Sequence, residues 1–149
     1  LISKKVFSVD YENGPGRSGD PPQSGSLTGN FGVLDAERPY GPYFKFPFDS
    51  LTSKDHLRIK MELDVFIPDS SSYAPEFTFS MTGHRGQSYD YTSSGAATPE
   101  KEKWIHLSQW FVTPEILHGT DIVSFGIWNS HGEKVFVDNY KVTVYEPTR

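Results

Sequence analysis

Residues 135–144 read VFVDNYKVTV, and their hydrophobic alternation changes parity half-way. Val135 and Val137 fall on odd numbers, whereas Tyr140, Val142 and Val144 fall on even ones. Side chains on a strand change face at every residue, so a parity change demands an extra residue or a bend. Asp138 and Asn139 stand where the change occurs. The stretch is therefore expected to be a bulged strand with a carboxylate at its irregular point.

The same period recurs upstream. LRIKMELDVFI (57–67) puts Leu57, Ile59, Met61, Leu63, Val65 and Ile67 on one face and Arg58, Lys60, Glu62 and Asp64 on the other. EFTFSMT (76–82) turns Phe77, Phe79 and Met81 inward and Thr78, Ser80 and Thr82 outward. YFKFPF (43–48) buries Phe44, Phe46 and Phe48, and its Pro47 assigns it to an edge or a bulge, because proline cannot donate to a ladder. WIHLSQWF (104–111) and DIVSFGIWN (121–129) alternate likewise, leaving Trp104, His106, Ser108 and Trp110 outward on one, and Ser124, Gly126 and Trp128 on the other. KKVFSVDY (4–11) is the first strand, and NSHGEK (129–134) reads as a hairpin connection. TPEILHG (113–119) has the proline and glycine placement of one short helical turn. Many short strands, turn-rich connections and almost no helix predict an all-β chain: one antiparallel, two-sheet β-sandwich domain over residues 1–149.

Composition narrows the function. The chain's 149 residues suffice for one domain with a real core. A net charge of −5, with both signs interspersed, argues against nucleic acid as a partner. There is no cysteine, which excludes disulfides, thiolate metal sites and cysteine nucleophiles. No apolar run approaches the roughly 20 residues that span a bilayer. An opening Leu1 in place of methionine fits a mature or excised fragment.

Motifs for catalysis are weak. GPGRSG (14–19) matches the dinucleotide-binding glycine pattern, but Asp20-Pro21-Pro22 cannot open the helix that pattern needs. ELDVFI (62–67) resembles the Glu-x-Asp-x-x-Glu strand of laminarinase-type glycoside hydrolases. There Glu62 and Asp64 match, while Ile67 replaces the proton donor that retaining hydrolysis requires. The five histidines show no short metal-binding spacing.

Asp138 needs a partner, because a buried carboxylate must be hydrogen-bonded, paired or bound to a cation. One reading has it capping the bulge through backbone amides. The other places it with Asp10 and Glu12, from the opening VDYENG, around a calcium ion, which favours oxygen ligands in a loose geometry. The residues Trp104-x-His-Leu, Phe111, Asp121-x-x-x-Phe-x-Ile-Trp-Asn129 and Val135-Phe-Val-Asp-Asn-Tyr-x-Val142 resemble the C-terminal half of jelly-roll carbohydrate-binding modules. VFSVDYENG resembles the segment with which such modules open. The likeness is firm over 104–146 and thin over 13–100. It implies a jelly-roll topology, a structural calcium held by Glu12 and Asp138 with Asp10, and no catalysis by this domain. It further implies a polysaccharide or oligosaccharide ligand, a secreted or cell-surface bacterial setting, and a catalytic domain in the same parent chain.

Sugars offer polar rims and apolar faces, so their sites pair aromatic platforms with polar groups. Trp110, Trp128 and Trp104 are the candidate platforms, joined by His106 and by Arg85, Tyr89 and Tyr91 from RGQSYDY (85–91). Gly126 leaves room for a groove floor, and Tyr11, Tyr40, Tyr43 and Tyr73 offer a competing site at the loop end. Two other readings stand beside this one. The first is a structural or protein-binding surface domain. The second is a small glycan hydrolase or lyase using Glu62 or Asp64.

Overall fold

A computed structural model describes residues 2–9, 32–41, 43–83, 85–94, 100–113 and 118–147, leaving aside the side chains of 2–4, 9 and 89–94. These residues form β1 (Ile2–Val9), β2 (Gly32–Leu34), β3 (Phe44–Pro47), β4 (Arg58–Phe66), β5 (Glu76–Thr82), β6 (Ser88–Ser94), β7 (Trp104–Val112), β8 (Ile122–Trp128) and β9 (Val135–Glu146). One 3-10 turn, Phe48–Ser50, follows β3. Every strand pairing is antiparallel.

Sheet one runs β1-β9-β4-β7, with β2 sharing β1's edge of β9. Sheet two runs β3-β8-β5-β6. From β3 onward the chain passes repeatedly between the sheets, which is the jelly-roll topology. The assignment of β3 to an edge agrees with Pro47, which would break a ladder if strands flanked it on both sides.

The expected bulge is present. Between Glu62 and Asp64 on β4, the pairing on β9 moves from Lys141 to Asp138, so β9 carries one residue more. Asn139 takes up the excess with φ 50°, a left-handed conformation that asparagine tolerates better than most residues. The bulge also divides the other edge of β9, where β1 pairs with residues 140–146 and β2 with 135–137.

The bulge keeps both halves of β9 facing the core: Val135, Val137, Tyr140, Val142 and Val144 are all buried. They meet Ile59, Met61, Leu63 and Val65 from β4, and Phe77, Phe79, Val123, Phe125 and Ile127 from sheet two. Each such side chain contributes roughly 1.5–3 kcal/mol on burial. Near β3 the interior is aromatic: Phe7 stacks on Phe46 at 4.4 Å, and Phe44 on Tyr140 at 5.5 Å.

One connection differs from expectation. NSHGEK does not close a hairpin, because β8 lies in sheet two and β9 in sheet one. It is a crossover between layers, turned at Gly132 with φ 73°. A linker of this length suits either connection, so length does not distinguish them. The expected helical turn over 113–119, the 14–19 loop and the end of the first strand beyond Val9 involve residues outside those described.

Candidate functional site

The outer face of sheet two is built in rows by its register. Tyr40 bridges to Trp128, which pairs with Glu76. The next row sets Tyr43 beside Gly126 and Thr78. Lys45, Ser124 and Ser80 form a third row, and Pro47, Ile122 and Thr82 a fourth. A groove of about 450 Å³ lies on this face, lined by Tyr40, Tyr43, Lys45, Thr78, Ser124 and Gly126 among others. Tyr40 and Tyr43 are 70% and 61% exposed, so their rings are open to a ligand. The hydroxyls of Thr78, Ser80, Thr82 and Ser124 make no hydrogen bond among the described residues and remain open to solvent. Gly126 forms part of the floor: a Cβ there would meet Thr78 Oγ1 at 3.0 Å and Tyr43 Cβ at 3.3 Å.

The outer face of sheet one is organised differently. Asp138, Asp64 and His106 occupy one row across β9, β4 and β7. His106 Nδ1 lies 2.7 Å from Asp64 Oδ1, and its Nε2 3.2 Å from Glu62 Oε1. The hydrogen bond with Asp64 holds the His106 pKa above its ordinary value; partial burial opposes this and Glu62 reinforces it. Asn139 Nδ2 donates to Asp64 Oδ2, and Lys60 Nζ stands 3.7 Å from Glu62. A small pocket of about 140 Å³ is bordered by Asp64, Trp104, His106, Asp138 and Asn139. Trp104 packs with Val33, Phe66 and Phe136 in a satellite apolar cluster. Trp110 is 46% exposed, with the Tyr145 ring at 5.2 Å and Lys60 Nζ 5.8 Å from its centroid.

The structure thus separates residues that the sequence groups together. Trp104, His106 and Trp110 lie on sheet one; Trp128 lies on sheet two, partly buried, with the Tyr40 ring at 6.4 Å and nearly parallel to it. Arg85 is exposed in the turn between β5 and β6. Tyr89 and Tyr91 fall on β6, their side chains outside those described, and Tyr91 is the register partner of Ser80. Tyr73 stacks on His131 at 3.6 Å. Lys45 is a groove residue that the candidate set lacks. The alternation that turns Phe44 and Phe46 inward also turns Tyr43 and Lys45 outward, so the signal for it is present in the sequence.

Asp138 is 2% exposed, and its Oδ1 accepts the Asn139 amide at 2.8 Å, as the bulge-capping reading expects. Among the described residues no three His, Asp or Glu side chains are grouped to hold a metal. Asp10 and Glu12 lie outside those residues. Val9, the last described residue of β1, pairs with Tyr140, two positions from Asp138.

Solved structures share this architecture. The CBM22-1 xylan-binding domain of Paenibacillus barcinonensis Xyn10C superposes with a TM-score of 0.53 at 14% identity, over 99% of both chains. The tandem CBM22-1-CBM22-2 structure from the same protein gives 0.59 at 12% identity, over 100% of this chain and 49% of that one. The CBM22-1-GH10 structure of Clostridium thermocellum Xyn10B, complexed with xylohexaose, gives 0.55 at 11%, over 97% of this chain and 25% of that one. The chain has the jelly-roll fold of carbohydrate-binding modules. No protein-family model matches it, and no curated protein sequence does. No described helix is long and apolar enough to cross a membrane.

Proposed function

We propose that this domain is a non-catalytic carbohydrate-binding module that holds a polysaccharide or oligosaccharide on the outer face of sheet two. The observation that carries the reading is the groove itself. Two exposed tyrosine rings stand beside four hydroxyls that make no hydrogen bond among the described residues. Ring faces match the apolar C–H surface of a sugar, and free hydroxyls match its rim. Tyr40 and Tyr43 are the stacking platforms, Trp128 supports Tyr40, and the serines and threonines orient the chain. Similar folds include a xylan-binding domain and a module-bearing xylanase complexed with xylohexaose, which favours a plant-type polysaccharide and an exported parent enzyme. Such an open, wet groove predicts micromolar or weaker affinity for a single chain.

Affinity electrophoresis against a panel of soluble polysaccharides tests the reading. At least one glycan should retard the protein, and Tyr43→Ala should abolish the retardation. No retardation by any glycan would remove the proposal.

The proposal includes a structural calcium ion held by Asp10, Glu12 and Asp138, away from the groove. Asp138 fits as a buried carboxylate two positions from Tyr140, the partner of Val9, which immediately precedes Asp10 in the sequence. An ion bound only by the native state raises its stability. Chelator should therefore lower the Tm of the parent but not that of Glu12→Ala; equal responses would exclude the ion.

A further inference from the structure

We propose that Lys45 makes this groove select glycans carrying carboxylate groups, such as uronic acid residues, over neutral chains. The inference rests on the groove reading above and assigns its ligand class. Lys45 is the only charged side chain among the described residues lining the groove. It is exposed on edge strand β3, in register with Ser124, which pairs in turn with Ser80. Its ammonium therefore stands at the end of a row whose other described side chains are neutral hydroxyls.

Some other cations have a carboxylate beside them. Arg38 pairs with Asp35 at 2.8 Å, Lys103 with Glu100 at 2.8 Å, and Lys60 approaches Glu62 at 3.7 Å. Lys45 makes no ion pair among the described residues, although acidic residues outnumber basic ones 19 to 14. Its Nζ instead lies 5.5 Å from the centroid of the Tyr43 ring. That contact brings the charge to the ring proposed to stack on sugar, where a substituent on the stacked residue comes within reach. An ammonium donating to a carboxylate forms a charge-assisted hydrogen bond, stronger than its neutral counterparts. The net charge of −5 repels acidic polymers at long range, but physiological salt screens that repulsion beyond about 8 Å. The local cation then decides.

The test compares one uronate-bearing polysaccharide with its carboxyl-reduced derivative, which keeps the same backbone without the charge. The parent should bind the acidic form about fivefold more tightly, the size expected of one exposed ion pair. In Lys45→Met, which keeps the aliphatic stem, that ratio should fall to about one, and in Lys45→Arg it should return. A parent ratio of one, or a ratio unmoved by Lys45→Met, overturns the charge preference while leaving the groove reading intact. Failure of the parent to bind either polymer, or any other glycan, overturns both.

Discussion

Across sheet one, Lys60, Glu62, His106, Asp64 and Asn139 form a continuous chain of polar contacts, and Trp104 is packed among Val33, Phe66 and Phe136. Across sheet two, the hydroxyls of Thr78, Ser80, Thr82 and Ser124 make no contact of that kind among the described residues, and Tyr40 and Tyr43 stand open. Both faces come from the same alternation of side chains, yet the polar cluster at the centre of sheet one is bonded internally and the hydroxyls of sheet two are not. A polar group already bonded within the protein gains little from a ligand, whereas one bonded only to water can exchange that water for a sugar hydroxyl. The comparison teaches that aromatic content alone does not distinguish the two faces. Both faces carry tryptophan; sheet two adds two open tyrosine rings beside four open hydroxyls, whereas the centre of sheet one is occupied by bonded carboxylates, His106 and Asn139.

The largest effect that would test this contrast concerns Trp104. If its indole serves sheet one as packing, Trp104→Ala should destabilise the fold by about 2–4 kcal/mol, lowering Tm by several degrees. Glycan retardation of the folded variant should match the parent. Loss of retardation without loss of stability would transfer the site to sheet one. The next test acts on sheet two. In Gly126→Val the new Cβ would stand 3.0 Å from Thr78 Oγ1, and the branched methyls would rise into the groove. Glycan affinity should drop about tenfold or more, since each 1.4 kcal/mol of clash or lost contact is a factor of ten. A folded Gly126→Val protein that binds normally would show that the groove is not used.

How much of this is legible in the sequence follows from what alternation encodes. Period two reports which face a residue occupies, so the inward set of β4, β5 and β8 and the bulge at Asp138–Asn139 can be read from the residues alone. It does not report which sheet a strand joins. For that reason Trp110 and Trp128 look like neighbours in the sequence, though β7 and β8 lie in different layers. The 129–134 connection is ambiguous for the same reason, since a short linker can close a hairpin or cross the sandwich. Tyr40 joins the groove through one isolated bridge to Trp128, a long-range pairing with no local signature. Tyr43 and Lys45 are legible, because the inward Phe44 and Phe46 leave them no other face.

The smallest predicted effect belongs to the His106 cluster and sharpens the claim that this cluster is satisfied internally. Protonated His106 donates from Nδ1 to Asp64 and from Nε2 to Glu62, while Lys60 beside Glu62 competes for the second carboxylate. Asp64 is the main cause of the raised pKa. A histidine whose pKa is higher folded than unfolded stabilises the protein fully below the unfolded value of 6.5, and loses that contribution as pH rises through the folded value. With 56% of the His106 side chain exposed, solvent screening limits the gain to less than about 1 kcal/mol. The parent should therefore melt a degree or two above His106→Gln near pH 5.5, and the gap should narrow by pH 8 and in high salt. Taking the difference between the two proteins cancels the contributions of every other group, which both share. A gap that stays constant, or widens with pH, would mean that the carboxylates do not hold the charged imidazole and that this cluster is less self-contained than its geometry implies.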